Sequence, residues 1–120
     1  MLPEIKSYFL IDGGHVETYQ PADSENFSLV LRLMIGPRGK PGEESFDITV
    51  CTPVSLIAGC AANGFVSGRH RLVVSAYDPS LIMKAVRGLV DGCSGLSWTE
   101  VGTKLARIAY WEFEDYQDVR

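Results

Sequence analysis

Phe27-Ser28-Leu29-Val30-Leu31-Arg32-Leu33-Met34-Ile35, then Gly36-Pro37-Arg38-Gly39-Lys40-Pro41-Gly42, then Phe46-Asp47-Ile48-Thr49-Val50-Cys51 is the stretch that decides the fold. In the first run Phe27, Leu29, Leu31, Leu33 and Ile35 share one face, while Ser28, Val30, Arg32 and Met34 share the other. That period of two is the mark of a half-buried strand. The middle segment forces a turn, because glycine reaches positive φ without steric cost and proline removes a ladder donor. In the last run Phe46, Ile48 and Val50 alternate with Asp47, Thr49 and Cys51. Two alternating runs around a Gly/Pro loop predict a β-hairpin.

Upstream, Ile5 to Ile11 reads as a first strand, with Ile5, Phe9 and Ile11 on one side and Lys6, Tyr8 and Leu10 on the other. Asp12 to Asn26 is polar and carries Gly13, Gly14, Pro21, Asp23 and Ser24, the composition of an irregular loop. Downstream, the apolar segment Val54 to Ala62 is expected to be a short helix, opened by Pro53 and closed at Asn63-Gly64. Arg71 to Tyr77 is read as a strand with Leu72, Val74 and Ala76 facing one way. Asp78 then caps a helix with Pro79 in its first turn and Leu81, Ile82, Ala85, Val86, Leu89 and Val90 on one face. Ser97-Trp98-Thr99-Glu100 has the capping-box form and opens a further helix, with Trp98, Val101, Leu105 and Ile108 along one side. On that helix Glu100 and Lys104 stand in the favourable order for an i,i+4 ion pair. Tyr110 to Tyr116 alternates as a final strand. Strands first and helices late predict an α+β fold: an antiparallel sheet of four to five strands packed against two main helices, in a single domain over residues 1–120.

The totals agree. Hydrophobic residues make up 46% and charged residues 22% of the 120, an ordinary globular mixture. Eleven basic against fifteen acidic residues give net −4, which argues against a phosphate-backbone binder and suits the capture of a basic partner. Arg69-His70-Arg71 is the one compact basic cluster, too small for a nucleic-acid footprint. Cys51, Cys60 and Cys93 are odd in number and fit neither a C-x-x-C pair nor a zinc framework, so reduced, partly buried thiols are expected. Glu4 and Lys6 interrupt the first ten residues, so no signal peptide is expected. No run approaches the roughly 20 apolar residues of a membrane span. A cytoplasmic location without membrane contact follows as an expectation.

Chemistry is harder to find. His15 and His70 are the two histidines, and pairing either with Cys51 or Cys93 as nucleophile and base has no supporting local context. The glycine loop at 36–42 lacks the Gly-Lys-Ser/Thr of a phosphate-binding loop. No catalytic, cofactor or metal-ligating set is assigned. The tail holds more. As a strand it would project Trp111, Phe113 and Asp115 to one side and Glu112, Glu114 and Tyr116 to the other. One reading is a terminal strand with aromatics in the core and acids in water. The other is an aromatic, acidic docking surface for a basic partner. Trp111, Glu112, Glu114, Asp115, Tyr116 and Asp118 are the candidate partner-binding residues.

The chain resembles the immunity protein 8 family. The resemblance runs through Ser45-Phe46-Asp47-Ile48-Thr49-Val50-Cys51-Thr52-Pro53, Gly68-Arg69-His70, Tyr77-Asp78, Cys93-Ser94-Gly95 and Ser97-Trp98-Thr99-Glu100-Val101. It continues through Lys104-Leu105-Ala106-Arg107-Ile108 and Trp111-Glu112-Phe113-Glu114-Asp115-Tyr116, covering the chain from about Asn26 onward. It implies a bacterial protein made beside a secreted toxin in a polymorphic toxin or contact-dependent inhibition system. Such a protein binds the toxin domain stoichiometrically, without catalysis or cofactor, as a monomer or weak homodimer. Charge complementarity would favour a basic toxin, with a nuclease as the leading kind. Two other readings stay open: a regulatory or structural subunit of some other protein, and a small enzyme with an unrecognised site.

Overall fold

A computed structural model describes residues 1–114. The predicted hairpin is its centre. Strand β2 (Ser28–Pro37) pairs antiparallel with β3 (Glu44–Cys51), placing Leu31 opposite Ile48 and Leu33 opposite Phe46. All four are essentially buried, so the alternation read from the sequence is the core face of the sheet. Gly36 is required at the turn. A Cβ built there would stand 1.9 Å from the Gly42 carbonyl oxygen, closer than any side chain allows.

Strand β1 (Pro3–Leu10) pairs antiparallel with the other edge of β2. Its register shifts between Ile5 and Ser7, where two steps on β1 face one on β2. Such a bulge reverses the alternation. Ile5 therefore joins Tyr8 and Leu10 on the core side, while Phe9 faces away with Arg32. The sequence alternation had grouped Ile5 with Phe9, and an unbroken period of two cannot show an inserted residue.

The outer edge of β3 is shared. Strand β4 (Arg71–Val73) runs parallel to its C-terminal half, and β5 (Tyr110–Trp111) runs antiparallel to its N-terminal half. The sheet is thus mixed and mostly antiparallel, where a purely antiparallel one was expected. The parallel pair arises because α1 (Pro53–Asn63) carries the chain back between β3 and β4. β4 stops well short of Tyr77. After the Val74 N–H bonds the Cys51 carbonyl, the Tyr77 N–H donates to Ser24 and the Tyr77 hydroxyl to the Val16 carbonyl, drawing the chain onto the polar loop. Those bonds also anchor a loop that composition alone marks as irregular.

Among the described residues there are three helices rather than two main ones: α1, α2 (Pro79–Asp91) and α3 (Trp98–Leu105). α1 begins and ends as expected, with Gly64 at φ 85° closing it through an N–H bond to the Cys60 carbonyl. Its start carries a reciprocal capping box between Thr52 and Ser55. Thr52 is fully buried, and its Oγ1 also accepts from the Phe27 N–H. At α3 the Ser97 hydroxyl accepts from the Glu100 N–H, while the Glu100 carboxylate accepts from Leu96 rather than closing the box on Ser97. The Glu100–Lys104 ion pair forms at 3.7 Å. α2 buries Ile82, Met83, Val86 and Val90, whereas Leu81 and Leu89 are exposed. The apolar stripe on that helix is wider than its contact, and the direction of docking selects which part is covered.

Candidate partner-binding surface

The tail residues divide between core and surface. Trp111 on β5 is buried, and its ring stacks on Phe46 at 5.8 Å between centroids and 15° between planes. Its indole N–H donates to Glu44 Oε2 at 2.6 Å. The other oxygen of the same carboxylate accepts from the Trp98 indole N–H at 2.7 Å. Glu44 therefore ties the start of α3 and the last strand to the start of β3, and both tryptophans of the chain end on it. Nothing in the sequence singled it out, because each partner lies more than fifty residues away.

Beyond Trp111 the chain turns, with the Glu114 N–H donating to the Trp111 carbonyl. The strand is therefore shorter than the alternation of Tyr110 to Tyr116 suggested. Phe113 packs edge-on against Trp111 at 6.4 Å. Glu114 forms an ion pair with Arg69 at 2.5 Å, holding the tail to the loop before β4. Glu112 is exposed, and its charge helps hold the Arg32 guanidinium protonated. Asp115, Tyr116 and Asp118 lie outside the described residues. The core reading of the tail holds for Trp111, with Glu112 facing water, whereas Phe113 is exposed and Glu114 is engaged by Arg69.

The face of the sheet opposite the core carries a row that crosses four strands. Phe9, Arg32, Asp47 and Tyr110 are successive cross-strand neighbours. Arg32 and Asp47 form a bidentate pair at 2.8 and 2.9 Å, and that carboxylate is the first cause of the raised Arg32 pKa. Phe9 and Tyr110 flank the pair and are exposed. The register explains the exposure: they occupy the side that α2 and α3 do not cover.

Catalytic groupings do not assemble among the described residues. His70, at φ 60°, donates from Nε2 to the Ala106 carbonyl at 2.7 Å, because a carbonyl can only accept. His15 is exposed in the polar loop. Cys51 and Cys93 are buried, and burial pushes the Cys93 thiol up, away from the reactive thiolate. Cys60 is exposed, contrary to the expectation of a partly buried thiol, because it lies on a helix with no buried residue. No three of His, Cys, Asp and Glu approach closely enough to hold a metal ion among these residues. No described helix is long and apolar enough to cross a membrane. An open cleft of about 700 Å³ lies between α2 and the polar loop, lined by Glu17, Met83, Lys84, Arg87 and Asp91. At its edge the Tyr8 hydroxyl donates to Glu17, and Arg87 sits over the Tyr8 ring at 5.7 Å. That hydrogen bond is the main reason the Glu17 carboxyl lies below, and the Tyr8 phenol above, its ordinary value.

A mixed sheet covered by helices on one face, with exposed aromatic and charged side chains on the other, is the build of a small α+β protein. The chain belongs to the immunity protein 8 family, whose pattern matches residues 3–116, nearly the whole length. Immunity proteins act against toxins, so a toxin is the class of partner the family implies. No curated protein and no solved structure matches the chain significantly.

Proposed function

We propose that this protein is a cytoplasmic, non-catalytic immunity protein of a bacterial polymorphic toxin or contact-dependent inhibition system. It binds the toxic domain of a cognate secreted protein stoichiometrically and holds it inactive. The observation that carries this reading is the family match over residues 3–116. The net charge of −4 supports a basic toxin, with a nuclease as the leading candidate. The acidic end of the chain is proposed to supply part of the contact. Glu112 is proposed to meet the partner directly, with Asp115, Tyr116 and Asp118 as further contact residues, while Trp111 is buried and Glu114 pairs with Arg69.

The test is co-purification with the C-terminal domain of the neighbouring secreted protein, paired with rescue of growth when both are expressed. A complex with rescue supports immunity, and neither together removes it. The surface is tested separately by reversing Glu112, Asp115 and Asp118 to lysine while leaving Glu114 in place. The expected result is association slowed about tenfold or more at low salt, with thermal stability unchanged. Unchanged association kinetics would take the tail out of the interface.

A further inference from the structure

Another cavity, of about 370 Å³, opens between the β2–β3 turn and the start of α3. Pro37, Pro41 and Gly42 line it from the turn, Glu43 and Glu44 from the start of β3, and Trp98 from the first position of α3. Its walls are fixed. The Trp98 indole is held by its bond to Glu44 Oε1 and by the buried Phe46 ring, which it meets at 82° and 6.4 Å. The prolines have little backbone freedom. The charge of the lining has one sign. Neither Glu43 nor Glu44 has a cationic partner among the described residues. The Glu44 carboxylate accepts from two neutral indoles, which leaves about two of its four acceptor sites open. Glu43 is exposed, and its carboxylate accepts no hydrogen bond among the described residues. The bases of the turn do not neutralise the pair: Arg38 meets Asp91 at 3.8 Å, and Lys40 is not part of the lining.

We propose that this cavity is an anchor site for an arginine side chain of the toxin, its guanidinium set on the Glu43 and Glu44 carboxylates and against the Trp98 ring. The identity of the occupant rests on the immunity reading, and its chemistry rests on the lining. Two adjacent carboxylates without a counter-ion repel each other and gain from a cation placed between them. Phosphates and acidic side chains are disfavoured for the same reason. Glu44 gains most, because it is half-buried and has already lost part of its hydration. The aromatic wall then selects among cations. A guanidinium is planar and weakly hydrated, so it can fork a carboxylate and stack on an indole, whereas an ammonium is a strongly hydrated point charge. The aliphatic stem of an arginine packs against the prolines. Since the walls are set before binding, little ordering cost falls on this side of the contact. The cavity also adjoins the surface proposed for the tail. Trp111, which donates to the same Glu44, immediately precedes Glu112.

The first probe is a blocked glycyl-arginyl-glycine tripeptide, titrated at low salt into the isotope-labelled full chain without toxin. NMR follows the Trp98 indole N–H and the Glu43 amide. The expected result is a saturable shift of both at millimolar peptide, weakening as salt is added. A tripeptide with norleucine in place of arginine should give no such shift, and one with lysine should bind at least about threefold more weakly. Glu43→Gln should weaken the arginine peptide about fivefold or more. Its melting midpoint should equal that of wild type, because Glu43 is exposed. No saturable shift, an equal response to norleucine or lysine, or an unchanged affinity in Glu43→Gln overturns the site. With the toxin domain, Glu43→Lys should raise Kd about tenfold or more, chiefly through faster dissociation. An unchanged Kd overturns the anchor. Failure of the immunity reading looks different: wild type then forms no toxin complex, whereas the peptide titration reads the cavity without any toxin.

Discussion

Removing the Glu44 carboxylate should loosen the packing of both tryptophans at once. In Glu44→Ala the indole N–H groups of Trp98 and Trp111 lose acceptors now at 2.7 and 2.6 Å. A hydrogen bond to a charged group contributes about 1.5–3 kcal/mol. Trp111 is buried while Trp98 and Glu44 are half-buried, so water recovers part of the loss. The expected cost is about 2–4 kcal/mol. With an unfolding entropy of about 2.1 cal/mol/K per residue, each kcal/mol moves the melting midpoint of a chain this size by about 4 °C. The midpoint should therefore fall by about 8–16 °C. Glu44→Gln is the sharper variant, because an amide offers one acceptor oxygen and must turn its NH2 toward one indole. It should lose about half as much. Thermal and urea unfolding followed by tryptophan fluorescence measure both variants, since both tryptophans of the chain sit on this carboxylate. A loss under about 1 kcal/mol in Glu44→Ala, or a Glu44→Gln variant as stable as wild type, would refute the clamp.

Three further outcomes follow from contacts of the same kind. Gly102→Ala gains about 1 kcal/mol of helix propensity. Its Cβ, however, would lie 2.7 Å from the Trp111 ring, so a net loss of about 1–2 kcal/mol is expected in urea unfolding. Glu17 titrates below its ordinary value because the Tyr8 hydroxyl donates to it. That stabilisation is present above the unfolded carboxyl's titration and is lost as pH falls through the lower, folded one. Tyr8 is raised by the same bond, so its contribution holds below the ordinary phenol range and is lost as pH climbs through the raised value. Tyr8→Phe should return the Glu17 midpoint upward, as read by NMR titration, and an unmoved midpoint would break the assignment. Under native conditions an alkylating reagent should modify Cys60 well before Cys51 and Cys93, by peptide mass spectrometry. Early labelling of Cys93 would contradict its burial.

Two aromatic residues of one short tail have opposite fates. Trp111 pairs opposite Phe46 on the helix-covered side, whereas Tyr110 pairs opposite Asp47 on the open side. One step along a strand changes the face, so the same composition serves both core and surface. The acids nearby divide likewise: Glu114 is held by Arg69, and Glu112 is exposed. A run of residue types therefore leaves fewer side chains free at the surface than the run contains.

The sequence alone determined what depends on neighbours in the chain. The β2–β3 hairpin was legible because alternation and a Gly/Pro turn are local. The helix starts at Asp78 and Ser97 and the stop at Gly64 were legible because capping uses residues within one turn. The family could be read for the same reason, from short motifs in order. Tertiary structure decided everything that depends on distant groups meeting. The bulge in β1, the parallel pairing of β4 and the rotation of α2 are set by packing against partners that no local pattern names. Glu44 gained its role only when α3 and β5 came to lie beside the start of β3. The exposure of α1 is the extreme case. Its sequence is apolar, yet no residue of the helix is buried, because what covers an element depends on distant neighbours that its own pattern does not name.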